Sequence, residues 1–175
     1  APVCYCSALV QVANTCKVLI IQHPLEQKHP FNTGRMAHLC LSNSELIVAE
    51  TLSAAQLARI LNTPSALLYP SMPWLPNTTE IANNSSMQQL IVIDGTWKKS
   101  KKILHLHPAL QNLPRLQLKG NLSSNYHIRK TTVDNGLSTL ESIVMALNTI
   151  EPGGEFETML QPFERMIALQ SEKRK

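Results

Sequence analysis

No stretch of the 175 residues approaches the run of roughly 20 apolar residues that a transmembrane helix needs. No charged-then-apolar leader opens the chain either, and Ala1 in first place reads as a processed or trimmed chain. Neither a membrane partner nor secretion is expected, so the Asn-x-Ser/Thr triplets, such as Asn77-Thr78-Thr79, carry no glycosylation message. Cysteine is scarce: four in a chain of this size make no disulfide scaffold, and a reducing, cytoplasmic setting is expected. Charged residues are only 16% against 43% hydrophobic, which excludes a disordered chain. There is no internal repeat and no mark of a second domain, so residues 1–175 read as one domain, large enough for a real core. His23, His29, His105 and His107 show no tight metal-ligand pattern, and no metal is expected.

What is present is a modest cationic excess, +4 at a pI near 9.0. It is compatible with a polyanionic partner. Position says more than the total: Lys98, Lys99, Lys101 and Lys102 crowd one helix start, Arg129 and Lys130 form a pair, and Lys173, Arg174 and Lys175 end the chain.

Strand and helix signals alternate. KVLIIQ (17–22) reads as a buried strand, ended at His23-Pro24 where proline offers no ladder donor. Thr33-Gly34-Arg35 opens a helix over 33–41 with Thr33 as N-cap, and free amides at a helix start favour anions. ELIVAE (45–50) is a strand, and 53–62 an amphipathic helix with Leu57, Ile60 and Leu61 inward. A short strand over 66–69 stops at Pro70. The Pro, Asn, Ser and Thr of 71–89 then mark a surface excursion with little regular structure, anchored by Trp74. RLQLK (115–119) alternates as a half-exposed strand does, 127–132 reads as another short strand, and Asp134-Asn135-Gly136 is a turn signal. Ser138-Thr139-Leu140-Glu141 is a capping box opening a helix to about Ile150, with Leu137, Leu140, Val144 and Leu147 as its buried stripe. A last helix over 155–172 packs Phe156, Leu160, Phe163 and Ile167. The pattern predicts an α/β single domain with a mainly parallel sheet flanked by helices.

The stretch the rest is arranged around is LIVIDGTWKKSKK. Leu90 to Ile93 suit a strand buried on both faces, Asp94-Gly95 breaks it, and Thr96 caps a helix that opens with Trp97 and the lysines. An acid, a hydroxyl and an indole therefore meet at the carboxyl end of a core strand, where ligands bind in open α/β sheets.

Asp94, Thr96 and Trp97 match the Asp-x-Thr-Trp signature of the DTW-domain family of tRNA-uridine aminocarboxypropyltransferases, which this chain resembles. HPLEQKHPFNTGR (23–35), LLYP (67–70), YHIRK (126–130) and LSTLE (137–141) agree in order, so the likeness covers roughly residues 4–150. The resemblance implies a fold related to the knotted, SPOUT-like RNA-modifying superfamily, with a C-terminal segment threading a loop. It implies transfer of the 3-amino-3-carboxypropyl group of S-adenosylmethionine to N3 of a tRNA uridine. The co-substrate would lie among Thr33, Gly34, Arg35, Leu68, Tyr69, Pro70, Thr96, Trp97, Ser138, Thr139 and Glu141. Many members of the family carry a cysteine pair upstream that would complete a zinc site. In residues 1–3 no such pair stands before Cys4 and Cys6, which are expected to be ordinary thiols unless an upstream pair completes the site.

Each candidate has a plain alternative. Asp94 is the choice for a general base that takes the imide proton, or it holds the turn and caps the next helix. Trp97 walls the pocket or is core. Ser138, Thr139 and Glu141 receive the amino-acid end of the co-substrate or only cap their helix. Arg35 binds a carboxylate or pairs on the surface. Lys98, Lys99, Lys101 and Lys102, extended by Arg129 and Lys130, track tRNA phosphates or form a solvated face. A methyltransferase of the knotted class and a catalytically idle RNA-binding module are the competing functions.

Overall fold

The computed structural model describes residues 4–81, 86–119 and 136–173, the last from 170 onward as backbone only. Among them the strands are β1 (Lys17–Gln22), β2 (Ser44–Val48), β3 (Ser65–Leu68), β4 (Gln89–Asp94) and β5 (Arg115–Leu116). The helices are α1 (Thr33–Cys40), α2 (Ala54–Leu61), α3 (Trp97–Leu106), α4 (Pro108–Gln111), α5 (Thr139–Ile150) and α6 (Gln161–Lys173). The strands form one sheet in the order β2-β1-β4-β3-β5, every pairing parallel.

The unbroken apolar runs have the predicted cause: both faces of the sheet are covered. Successive side chains of a strand alternate faces, so Val18, Ile20, Leu90 and Val92 pack with α1, α5 and α6, around Met36, Leu140, Val144 and Phe163. Leu19, Ile21 and Ile91 pack on the opposite face with α2, α3 and α4, around Ile60, Ile103, Leu104 and Leu110.

Topology sets the position of the site. From β1 the chain runs through α1 to β2, toward one edge; from the adjacent β4 it runs through α3 and α4 to β5, toward the other, on the opposite face. Neighbouring strands whose connections diverge leave a crevice at their carboxyl ends, the switch point where α/β proteins bind ligands.

Several expectations need correction. Asn32, not Thr33, caps α1: it lies outside the helix and its Oδ1 accepts from the Arg35 amide at 2.8 Å, while Thr33 is already the first helical residue. Leu61 of α2 is exposed, because it stands one residue, about 100° of helix, past the inward Ile60. The strand predicted over 115–119 is only Arg115–Leu116, and both residues are buried. They are covered because the excursion after β3 returns along the sheet edge, with Arg115 N–H donating to Thr79 O and Ile81 N–H to Arg115 O, both at 2.9 Å. The last helix is broken into a 3-10 turn, Phe156–Leu160, followed by α6. The strand expected over 127–132, the Asp134-Asn135 turn, and Arg129 and Lys130 lie outside the described residues.

Candidate active site

Asp94 closes β4 opposite Gln22, which closes β1, and alternation turns both side chains toward the α1 and α5 layer. Asp94 Oδ2 accepts from Gln22 Nε2 at 2.7 Å, and Oδ1 from Thr139 Oγ1, the first residue of α5. The same Gln22 Nε2 donates to Asn32 Oδ1 at 2.7 Å, and Asn32 caps α1. The His23 amide donates to the Asp94 carbonyl at 2.9 Å, joining the two strand ends beyond the ladder. A Cβ on Gly34 would lie 2.5 Å from Asp94 Oδ2, so only glycine lets the start of α1 sit against the carboxylate.

Two helix amino ends therefore converge on one acid. Asp94 is only 6% exposed, and that burial pushes its carboxyl above the ordinary value. The Thr139 and Gln22 donors pull it back, and Glu26 nearby raises it further. The result is a carboxylate more basic than a free aspartate, held among donors. A carboxylate offers about four lone-pair sites, so each oxygen, with one donor shown, retains capacity for a proton.

Ser138 caps α5 as predicted. Its Oγ accepts from the Glu141 amide at 3.2 Å, and Glu141 Oε2 accepts from the Ser138 amide at 2.7 Å, with both residues buried. Thr96 caps α3 through the Lys99 amide at 3.4 Å, so Asp94 has no capping role there.

The α3 side of the same edge is aromatic. Trp97 is 57% exposed and is not core. Its ring meets Tyr69 edge-on at 5.7 Å, and the buried Tyr69 hydroxyl pairs with Ser100 Oγ at 3.0 Å. Leu68 faces the α1 and α5 layer, Tyr69 the α3 layer, and Pro70 is exposed. The lysines divide: Lys99 Nζ meets Glu26 at 2.6 Å and Lys102 Nζ meets Glu50 at 2.8 Å, while Lys98 and Lys101 are exposed.

Residues 1–171 match the DTW domain. The chain belongs to the DTW domain family. It is 33% identical to tRNA-uridine aminocarboxypropyltransferase 2 of Drosophila melanogaster, over 96% of this chain and 70% of that protein. It is 29% identical to the protein of the same name from Macaca fascicularis, over 86% of this chain and 53% of that one. Against tRNA-uridine aminocarboxypropyltransferase A of Arabidopsis thaliana the identity is 25%, over 97% of this chain and 77% of the relative. No solved structure matches the chain.

Of the residues that the DTW resemblance singles out, Asp94, Gly34 and Thr139 are in direct apposition, with Ser138 and Glu141 flanking Thr139 in the same first turn of α5. Thr96, Trp97 and Tyr69 lie across the sheet on the α3 side. Arg35 is exposed, and its charge is felt at Tyr5 and Cys6. Sequence reasoning passed over Gln22 and Asn32, although a lone amide at the end of an apolar strand was a usable signal. The sequence marks His23 only as a strand end without a metal pattern; in the structure its Nδ1 accepts from Leu25 N at 3.2 Å, so Nε2 carries the proton toward Glu50 at 2.7 Å. Cys4 and Cys6 are exposed, and their proximity pulls the Cys4 thiol below its ordinary value and pushes that of Cys6 above it. Among the described residues no three His, Cys, Asp or Glu side chains gather as a metal site. A depression of about 450 Å³ opens at the far, amino edge of the sheet beside Cys16, Lys17, Asn43 and Glu151. Burial there pushes the Cys16 thiol up to about 11, which makes it a poor nucleophile.

Proposed function

We propose that this protein transfers the 3-amino-3-carboxypropyl group of S-adenosylmethionine to N3 of a uridine in tRNA. The observation that carries the reading is Asp94: a buried, basic carboxylate at the switch point of a parallel sheet, with two helix amino ends against it. The names of the DTW relatives point to the same chemistry.

The co-substrate supplies an electrophilic carbon next to a sulfonium. The imide N3–H of uridine is a poor nucleophile until its proton leaves. Asp94 takes that proton, N3 bonds to the γ-carbon, and the C–S bond breaks with its electron pair passing to sulfur. General-base help of this kind is worth roughly 100- to 10,000-fold. The residues present fit the amino-acid end of the co-substrate. The first amides of a helix lack intrahelical partners and favour a carboxylate, which suits the Gly34 amide at the start of α1, beside Thr33, whose own amide donates to Phe31 O at 3.0 Å, with Arg35 as a guanidinium partner. Glu141 suits the ammonium. Trp97 and Tyr69 border the base-binding side, and Lys98 and Lys101, with Arg129 and Lys130, belong to the phosphate track.

The relation to the knotted SPOUT-like superfamily and a cytoplasmic setting belong to this reading, the first supported by the all-parallel sheet, the second by four free thiols. Among the described residues no helix is long and apolar enough to cross a membrane.

Two labelled forms of S-adenosylmethionine test the proposal. Label in the aminocarboxypropyl carbons is expected to pass to tRNA and methyl label to stay behind. Methyl transfer would make the protein a methyltransferase, and transfer of neither would make it an idle binder.

A further inference from the structure

The outer face of α3 joins Trp97 and Lys101 to two further rings, Trp74 and His105, that the transfer step leaves unused. Trp97, Lys101 and His105 stand at i, i+4 and i+8 and so share one stripe of the helix. Trp74, from the excursion after β3, lies across that stripe. Its ring meets His105 at 4.9 Å, and Lys101 Nζ sits 5.3 Å from its centroid. Beneath them the buried Tyr69 is edge-on to Trp97 at 5.7 Å and to Trp74 at 6.1 Å. Ser100 fixes the Tyr69 hydroxyl, so both indoles rest on an immobile support.

A residue kept only for packing is covered by its neighbours, whereas Trp97 holds 57% of its surface in water. The exposed rings of Trp97 and His105 and the half-buried ring of Trp74, interleaved with the cations Lys98 and Lys101, match the chemistry of single-stranded nucleic acid, whose bases stack on aromatic faces while its phosphates meet lysines. The dimensions agree. From Trp97 to His105 the helix rises roughly 12 Å at 1.5 Å per residue, close to the rise of three to four stacked nucleotides at about 3.4 Å each. The stripe also begins in the turn that follows Asp94 and runs away from it.

We infer that this stripe is a platform for an unpaired stretch of RNA flanking the target nucleotide. Bases stack on Trp97 and Trp74, and Lys98 and Lys101 take phosphates. The inference rests on the reading of the substrate as RNA, but its test is a binding measurement that needs no transfer.

The protein has two tryptophans, Trp74 and Trp97, so its indole fluorescence reports on this patch alone. The full chain is titrated, without co-substrate, with a short oligouridylate, with duplex RNA of equal length, and with polyglutamate. Oligouridylate is expected to quench the fluorescence at concentrations where the other two do not. By anisotropy of the labelled oligonucleotide, Trp74→Ala is expected to weaken binding about 5- to 100-fold, the range for loss of one stacked base. Trp74→Phe should retain most of the affinity, and His105→Ala, at an exposed position, should weaken it with the fold intact. Affinity for S-adenosylmethionine should be unchanged in all three. Equal quenching by duplex or polyglutamate, or parental affinity in both Trp74→Ala and His105→Ala, overturns the platform. Label transfer without single-strand preference would remove the platform and leave the transferase; preference without transfer would do the reverse.

Discussion

Gln22 and Asp94 face each other in register across β1 and β4, and the Gln22 amide commits both hydrogens there, to Asp94 Oδ2 and to Asn32 Oδ1, each at 2.7 Å. The orientation is forced from the backbone outward. The Arg35 amide can only donate, so it fixes Asn32 Oδ1 as an acceptor. Asn32 Oδ1 in turn fixes Gln22 Nε2 as the donor, and Asp94 Oδ2 is left as the terminal acceptor. The network thus favours the ionised acid, while burial opposes it, and burial is the larger effect.

Replacing Asp94 by Asn tests the acid's chemistry with little change in shape. The Asn carbonyl can take the Gln22 hydrogen, and its amide can donate to Thr139 Oγ1, whose O–H rotates. The fold and co-substrate affinity should survive, and the single-turnover rate should fall by roughly 100- to 10,000-fold. In the parent, the folded pKa lies above that of the unfolded chain. Lowering pH through that raised pKa should switch activity off. The stability this group adds should be full below the unfolded pKa and lost as pH rises to the folded one. Both pH dependences should vanish in the variant; a retained acidic limb of the rate profile would assign it to another group.

Gly34→Ala is a steric test of the same junction. Its methyl would stand 2.5 Å from Asp94 Oδ2 and 2.7 Å from Cγ, so Asp94 must leave Gln22 or α1 must shift. A loss of about 1–3 kcal/mol is expected, as for other overpacked sites, with turnover lowered beyond what the unfolded fraction explains. Thermal melts with rates per folded molecule separate the two.

The start of α5 tests whether capping is its whole role. Ser138→Ala loses the bond to the Glu141 amide, worth about 1 kcal/mol, or roughly 2–4 °C of melting temperature in a chain of this size. Glu141→Gln keeps a carbonyl oxygen for the Ser138 amide and so should melt close to the parent. It lacks the charge for an ammonium, and calorimetric titration should show S-adenosylmethionine bound several-fold more weakly.

The four lysines of α3 should separate into pairs. Reversing Lys98 and Lys101 to Glu should weaken tRNA binding and lower the salt dependence of log K by about one for each phosphate contact removed, with little change in melting. Reversing Lys99 and Lys102 should set like charges against Glu26 and Glu50 and lower the melting temperature, Lys99 more than the 60%-exposed Lys102. Salt-titrated binding and melts on both double variants check this.

Local features were legible because their partners lie a few residues away. The Ser138–Glu141 box and the Thr96 cap join residues three apart, and β1 ended where His23-Pro24 indicated. Asn32 displaced Thr33 as a cap because Asx and Thr both serve at helix starts, and only backbone geometry decides which stands outside. The tie from Gln22 to Asp94 spans 72 residues and depends on β1 lying beside β4, which no local pattern encodes. Trp97 carried no sign of its exposure, since a single apolar residue opening a helix fits either face.

The most direct measurement is nucleoside mass spectrometry of tRNA after incubation with the protein and S-adenosylmethionine, run beside Asp94→Asn. The account predicts a uridine carrying one aminocarboxypropyl group at N3 with the parent, and little or none with the variant. A methylated nucleoside, an unmodified tRNA, or equal product from both proteins would contradict it.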